Sequence, residues 1–392
     1  MNYTFADNIN GLKPSAIREI LKLSSQPGII PFSAGNPAGE AFPAEEVAKI
    51  SNEILVNEPV AALQYSVTEG YAPLREYMAK YMKEKYSVGS DEDDIIITSG
   101  AQQVMNLATK VFVNTGDTII CEDPSFIGSL NAFRSFGANL VGVPVESDGI
   151  DLNALENAIK NSQNVRFLYT IPNFQNPSGI TMSLTKRKAV YEICKKYGVI
   201  ILEDNPYGEI RFAGDNLPCI KSFDTDGIVI YAGSFSKVLS PGMRVGYAIA
   251  NKDIIAKLTV CKQTDDVHTS LWSQIVAHKF VTEYDFEAHL EKIRGIYRRK
   301  ANLCMNLAEE HLKPMVDYYP VEGGLFLWCK LPEGTDMMEF AMKALENKVA
   351  VVPGTAFSVD TEATSDRIRI NYSTPTDEQI VEGVEILGKL LK

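Results

Sequence analysis

Residues 228–247, IVIYAGSFSKVLSPGMRVGY, join an apolar run to a loop that carries a single lysine, Lys237. The run IVIYAG (228–233) is β-branched and apolar and is bounded by Gly227 and Gly233, the pattern of a buried strand. A lysine at the end of such a strand is costly to bury unless it is paired or neutralised. Condensing it with a carbonyl as a Schiff base is one way to remove the charge and use the nitrogen. The hydroxyls of Ser234 and Ser236 and the guanidinium of Arg244 lie close by in the chain, and such groups hold a phosphate monoester. Taken alone, the stretch also reads as a strand end followed by a loop whose Lys and Arg are merely solvated.

Outward from this stretch the same pattern repeats. Strand-like runs occur at 95–98 (IIIT), 118–123 (TIICED), 140–145 (LVGVPV), 166–172 (RFLYTIP), 199–204 (VIILED), 228–233 and 246–250 (GYAIA). Helical patterns such as QQVMNLATKVFVN and TKRKAVYEICKKYG separate several of them. Runs apolar on both faces and spaced by helices predict an α/β fold, with a mostly parallel seven-stranded sheet covered by helices on both sides, three layers in all. Ligands of such sheets bind beyond the carboxyl ends of the strands.

Those ends hold a consistent set of groups. Thr98, Ser99, Gly100, Ala101 and Gln102 follow the first strand and lead into a helix, so free backbone amides and a positive helix end would face an anion. Phe126 follows the second strand, Asn173 and Asn176 lie in the PNFQNPSG turn after the fourth, and Asp204 and Tyr207 close the fifth. A lysine, a buried carboxylate, a phenol, an amide and a phosphate cradle together suit an aldehyde on a protonatable pyridine that bears a phosphate. In that reading Lys237 forms the Schiff base and Asp204 keeps the ring nitrogen protonated. Tyr207 and Asn176 bond the phenolic oxygen, and Phe126 stacks on the ring. Ser234, Ser236, Arg244 and the amides of Gly100 and Ala101 hold the phosphate. The cofactor expected is pyridoxal 5′-phosphate.

Composition narrows the function classes. The 392 residues exceed one simple core and point to two domains. A formal charge of −12 argues against nucleic acid as a partner, because a phosphate backbone needs a basic footprint. No apolar run is long enough to span a bilayer, and the N-terminus MNYTFADNIN has neither a basic nor an apolar leader region. The six cysteines are scattered without a CxxC pair, as expected of reduced residues in a cytoplasmic protein. The four histidines show no metal-ligand spacing, so no metal is expected.

Near the start, PSAIREILKLSSQPG has helical spacing, with Arg18 off its apolar stripe, either a solvated residue or a ligand contact. Residues 31–43, PFSAGNPAGEAFP, are too rich in Gly and Pro for a regular element. Residues 44–86 read as two helices broken by LQYSVTEGYAPLREYMAKYM, with Tyr65 in the break. After about 285 a long charged helical stretch leads to a smaller unit with GGLFLWCKLP (323–332), RIRINYS (367–373) and a final amphipathic helix with a Thr/Asp start. The domains expected are 1–44, belonging with the small unit, 45–285 as the large cofactor-binding domain, and 286–392 as the small α+β domain.

The segments ITSGAQQ, YTIPNFQNPSG, ILEDNPYGEI and SFSKVLSPGMRVGY, in this order, resemble those of fold-type I pyridoxal-phosphate enzymes, the class I/II aminotransferases. SAIREILKL followed by PFSAGNPAGEAFP is similar to the narrower group that includes 2-aminoadipate and kynurenine aminotransferases. The resemblance covers essentially the whole chain. It implies an amino-group transfer from an L-amino acid to a 2-oxo acid, with 2-oxoglutarate the expected acceptor. It further implies that Arg369 pairs with the substrate α-carboxylate, that Gly35 offers it a backbone contact, and that Arg18 can meet a side-chain carboxylate. Tyr65 is implied to reach across a homodimer interface to the partner's cofactor phosphate. The ring-stacking position, often tyrosine, is Phe126 here, which stacks but cannot hydrogen-bond. The same cofactor also supports C–S lyase chemistry, and a ligand-sensing module with a silent site is the reading from outside the enzymes.

Overall fold

The computed structural model describes residues 3–6, 9, 26–313 and 316–392. The seven expected strands are present as β1 (Asp93–Thr98), β2 (Thr118–Asp123), β3 (Asn139–Glu146), β5 (Val165–Thr170), β6 (Ile200–Asp204), β7 (Val229–Ser234) and β8 (Gly246–Asn251). An eighth, β4 (Gly149–Ile150), is a two-residue hairpin partner of β3 at the sheet edge. The order is β1-β8-β7-β6-β5-β2-β3-β4. The five strands from β7 to β3 run parallel, whereas β8 is inserted antiparallel between β1 and β7.

Strand alternation explains why the runs are apolar throughout. Ile119, Cys121, Phe167, Tyr169, Leu202 and Ile230 join one core, whereas Ile120, Leu168, Ile201 and Val229 join another on the opposite face. The second core is closed by the helices Leu152–Asn161 and Leu184–Tyr197, whose residues Leu155, Ile159, Val190 and Cys194 pack into it. These helices are locally well specified. Asp151 caps the first by accepting from Asn153 N and Ala154 N, and the second runs from a Ser183 cap to Gly198 in the left-handed region.

Residues 44–86 form helices at Ala44–Asn57, Pro59–Leu63 and Ala72–Tyr86. The last begins inside the segment read as a break, because Pro73 sits in its first turn, where a missing N–H costs nothing. The long helix Phe286–His311 leads to a three-stranded antiparallel sheet of β9 (Phe326–Lys330), β10 (Val352–Pro353) and β11 (Arg367–Asn371), ordered β10-β11-β9. The N-terminal segment packs here: Ile30 bridges Val349, and Phe32 O accepts from Asn371 N at 2.8 Å. The final helix Asp377–Leu390 starts with a full capping box between Thr376 and Gln379. No helix among the described residues is long and apolar enough to cross a membrane.

Candidate active site

A cavity of about 690 Å³ opens beyond the carboxyl ends of the parallel strands, between the large sheet, β11 and the segment around Gly35. It is lined by Gly35, Ala101, Gln102, Phe126, Asn176, Asp204, Tyr207, Ser234, Ser236, Lys237, Arg244 and Arg369, residues that are far apart in the chain. Gly100 is not among the lining residues but lies against Arg244, which is. Tyr65 does not line the cavity of its own chain and is 82% exposed. Arg18 lies outside the described residues.

Asp204 is buried at the end of β6. Its neighbour Glu203 points to the other face, where the amides of Ile220 and Lys221 satisfy it at 2.9 and 2.8 Å. Asp204 instead shares the face of Tyr169, whose hydroxyl donates to Asp204 Oδ2 at 2.8 Å and accepts from Ser129 Oγ at 2.9 Å. Asp204 Oδ1 has no hydrogen-bond partner among the described residues. Burial pushes this carboxyl up to about 7, against the pull of the Tyr169 hydrogen bond. A carboxylate held this way has one oxygen ready for a cationic N–H donor.

Lys237 is partly buried, and its Nζ donates to Gly35 O at 2.7 Å. Burial, then Arg369, then Arg244 bring its pKa down to about 8. Of the two cations the larger contributor is Arg369, which only the folded chain brings near. Asn176 Nδ2 donates to the Tyr207 hydroxyl at 3.4 Å, while Asn176 Oδ1 accepts from Arg369 at 2.9 Å. Burial raises the Tyr207 phenol above its ordinary range, so it stays protonated.

Arg369, on β11, is 6% exposed and anchored on three sides. Besides Asn176 it donates to Ser33 O and Ala34 O at 2.9 and 3.1 Å. Its guanidinium lies 4.1 Å from the ring centroid of Phe326 and 4.9 Å from that of Phe357. Its Nε has no partner among the described residues, and burial brings its pKa down to about 10.

At the other end of the cavity the helix Ala101–Phe112 begins at Gly100 with no side-chain cap, which leaves its first amides open. Gly100 has φ +80°, and a Cβ there would lie 2.4 Å from the Arg244 guanidinium, so glycine admits that side chain. Arg244 donates to Ser99 O at 3.1 Å, and Ser234 Oγ accepts from Ser236 N at 3.0 Å. Gln102 donates to Gly128 O at 3.0 Å. Tyr169, Ser129, Phe326, Phe357 and the carbonyls of Ser33 and Ala34 escaped the sequence reading. A phenol inside an apolar buried strand must find a partner, and that signal could have pointed to Tyr169.

The sequence pattern described as aminotransferase class I and II matches residues 27–387. Aromatic-amino-acid aminotransferase 1 of Thermococcus litoralis is 38% identical over 99% of this chain and 94% of its own length. The 2-aminoadipate transaminase of Thermus thermophilus is 39% identical over 99% and 96%. The crystal structure of Pyrococcus horikoshii kynurenine aminotransferase in complex with PMP superimposes with a TM-score of 0.95 at 35% identity, covering 99% of this chain and 96% of that one. Matched from end to end in both sequence and fold, the chain belongs to the aminotransferase class I and II family and is a pyridoxal 5′-phosphate-dependent aminotransferase acting on pairs of amino and 2-oxo acids.

Proposed function

We propose that the cavity divides into a cofactor half on the large sheet and a substrate half under β11, with Lys237 between them. The observation that carries this reading is Asp204 Oδ1, buried without a partner among the described residues in the cavity that Lys237 and Arg369 also line. It fits a protonated pyridine nitrogen, which would supply the missing N–H and the positive charge. The open amides after Gly100, the hydroxyls of Ser234 and Ser236, and Arg244 fit the phosphate. Phe126 fits the ring face, and Asn176 and Tyr207 the phenolic oxygen. Bound there, pyridoxal phosphate supplies a carbonyl that exchanges with the substrate amine and a ring that accepts electrons.

The chain's own residues supply binding and proton transfer. Arg369 Nε is free for a carboxylate, while its other nitrogens are tied to Asn176, Ser33 and Ala34. A guanidinium so anchored presents a fixed positive charge and its Nε–H to the substrate α-carboxylate, with Gly35 beside it. Lys237, brought down to about 8, is partly neutral near physiological pH. Its Nζ would then take the α-proton of the bound amino acid and hold it for return. Tyr207, whose phenol burial keeps protonated, accepts from Asn176 Nδ2. Lys237→Ala should abolish transamination while the protein still folds; near-normal turnover by this variant would overturn the assignment. Formation of glutamate from 2-oxoglutarate in step with donor consumption separates transfer from C–S lyase chemistry.

The proposed donors are broad in range, with 2-oxoglutarate the proposed acceptor. The described part of the wall beyond Lys237, Arg244 and Arg369 includes Pro31, Met105, Ile127, Ile171 and Phe326, which suit an aromatic or aliphatic side chain. An acidic side chain such as that of 2-aminoadipate would need Arg18. Relatives named for aromatic amino acids, 2-aminoadipate and kynurenine support this breadth. Arg18→Ala should lose acidic donors selectively; an unchanged profile would remove Arg18 from recognition.

The proposed working unit is a homodimer. Leu55, Val56, Val60, Leu63, Tyr65 and Val67 are all exposed within one short segment, and a second copy is the occupant that would also bring Tyr65 to a phosphate. The proposed division is 45–285 for the large domain, with 1–44 joining 286–392, supported by the bonds of Ile30 and Phe32 to the small sheet. A cytoplasmic location is proposed on the six unpaired cysteines.

A further inference from the structure

Behind the phosphate end of the cavity lies a lysine that the chemistry above does not use. Lys262, on the helix Lys252–Gln263, is fully buried. Its Nζ donates to Gln103 Oε1 at 2.8 Å, to Asp266 Oδ1 and Oδ2 at 2.7 and 2.8 Å, and to Thr269 Oγ1 at 3.0 Å. Burying an ammonium is unfavourable, and an apolar side chain would fill the same space without that penalty. What an apolar side chain cannot do is donate to three separate groups at once.

Each of those groups also holds the turn before the helix at Ala101. Ser99 N donates to Gln103 Oε1 at 2.8 Å, Ser99 Oγ donates to Asp266 Oδ2 at 2.6 Å, and Ser99 Oγ and Thr269 Oγ1 are 3.1 Å apart. The carbonyl of Ser99 in turn accepts from Arg244. On the far side, His268 N donates to Asp266 O at 2.7 Å, and the His268 ring meets Tyr65 edge-on at 5.9 Å. Gln274 Nε2 donates to Thr269 O at 2.8 Å and its Oε1 accepts from Tyr71 N at 2.7 Å, which ties down the end of the loop bearing Tyr65.

We propose that Lys262 is a positioning residue for phosphate recognition: it holds the Ser99–Gln103 turn and Arg244 in register at the site of its own chain. Through Asp266, Thr269 and His268 the same ammonium orders the Tyr65 loop that serves the second copy. This rests on the reading that the turn and Arg244 hold the cofactor phosphate, so the test must separate the two.

The experiment compares binding of pyridoxal 5′-phosphate and of pyridoxal, which lacks the phosphate, by absorbance titration of the full-length protein freed of cofactor. Lys262→Met should raise the dissociation constant for pyridoxal phosphate about tenfold, the effect of a lost charge-assisted hydrogen bond, and leave that for pyridoxal within about twofold. A lysine that only supports the fold would weaken both ligands equally, and an unchanged preference for the phosphorylated form overturns the inference. Thr269→Val, which keeps the Lys262–Asp266 pair, gives the same readout if Lys262→Met does not fold; it should erode the preference in the same direction, and no erosion counts against the inference. Arg244→Ala tests the underlying reading. If it leaves the preference intact, the phosphate assignment fails; if it erodes the preference and neither of the other variants does, only the role of Lys262 fails.

Discussion

Replacing Asp204 by asparagine should make the cofactor-free protein more stable at pH 8 and at the same time a poorer binder of pyridoxal phosphate. The folded chain holds this carboxyl at about 7, against an ordinary aspartate value of 3.8, because it is buried with only the Tyr169 hydroxyl to stabilise its charge. Between those two values the folded state keeps a proton that the unfolded chain releases. Stability therefore falls as pH rises through this window, and above it the full penalty, about 4 kcal/mol at about 1.4 kcal/mol per pH unit, applies. Asparagine removes the charge but leaves a buried NH2 group without an acceptor, a cost of about 1–3 kcal/mol. The net expectation is a gain of about 1–3 kcal/mol at pH 8 that disappears or reverses by about pH 4.5. Glu122, also pushed up to about 7 by burial, keeps part of the pH slope in the variant. Urea unfolding of both cofactor-free proteins at the two pH values, at one protein concentration, reads the difference. Titration with pyridoxal phosphate should show affinity lower by about a hundredfold, since a charge-assisted bond is gone. A stability change independent of pH, or unchanged cofactor affinity, would refute the reasoning that Asp204 is a strained group awaiting a cation.

The other expectations follow from the same geometry. Tyr169→Phe should weaken pyridoxal phosphate binding about tenfold by titration, because Asp204 Oδ2 and Ser129 Oγ both lose a partner. Lys237→Met should stabilise the cofactor-free protein at pH 7: the folded pKa of about 8 lies below the ordinary lysine value of 10.5, so the wild-type penalty is full below 8 and fades as pH rises toward 10.5. Thermal unfolding across pH 7–10 would show the gap closing, and a constant gap would count against it. Arg369→Lys should raise KM for both the amino and the oxo substrate by about ten- to a hundredfold with a smaller change in kcat, as a point charge cannot replace the anchored fork. Leu63→Glu, at a side chain 71% exposed in the single chain, should give monomers by light scattering if the apolar segment around Tyr65 is the dimer face.

Much of the candidate site was legible because its residues sit at strand ends, and strand ends are marked locally by Gly, Pro, Asn and Asp. Lys237, Asp204, Asn176 and Tyr207 follow from that rule, and the helix start at Gly100 from the glycine itself. Other members carry no local mark. Arg369 lies in a strand of the small sheet and meets Asn176, Ser33 and Ala34 only because β11 and the N-terminal segment close over the large sheet. Tyr169 reads in sequence as one more apolar strand residue.

The amino-acid sequence by itself determined the strands, the alternation with helices, the inventory of reactive groups and the cofactor they suit, since each depends on neighbours within a few residues. The tertiary structure decided what depends on distant partners. Pairing placed β8 antiparallel between β1 and β7, and strand register sent Glu203 to the far core and Asp204 to the cavity. Close packing made Arg369, more than Arg244, the cation that lowers the Lys237 pKa. Electrostatic and hydrogen-bond energies act over a few ångströms of space, and only the folded chain brings residues hundreds of positions apart within that range.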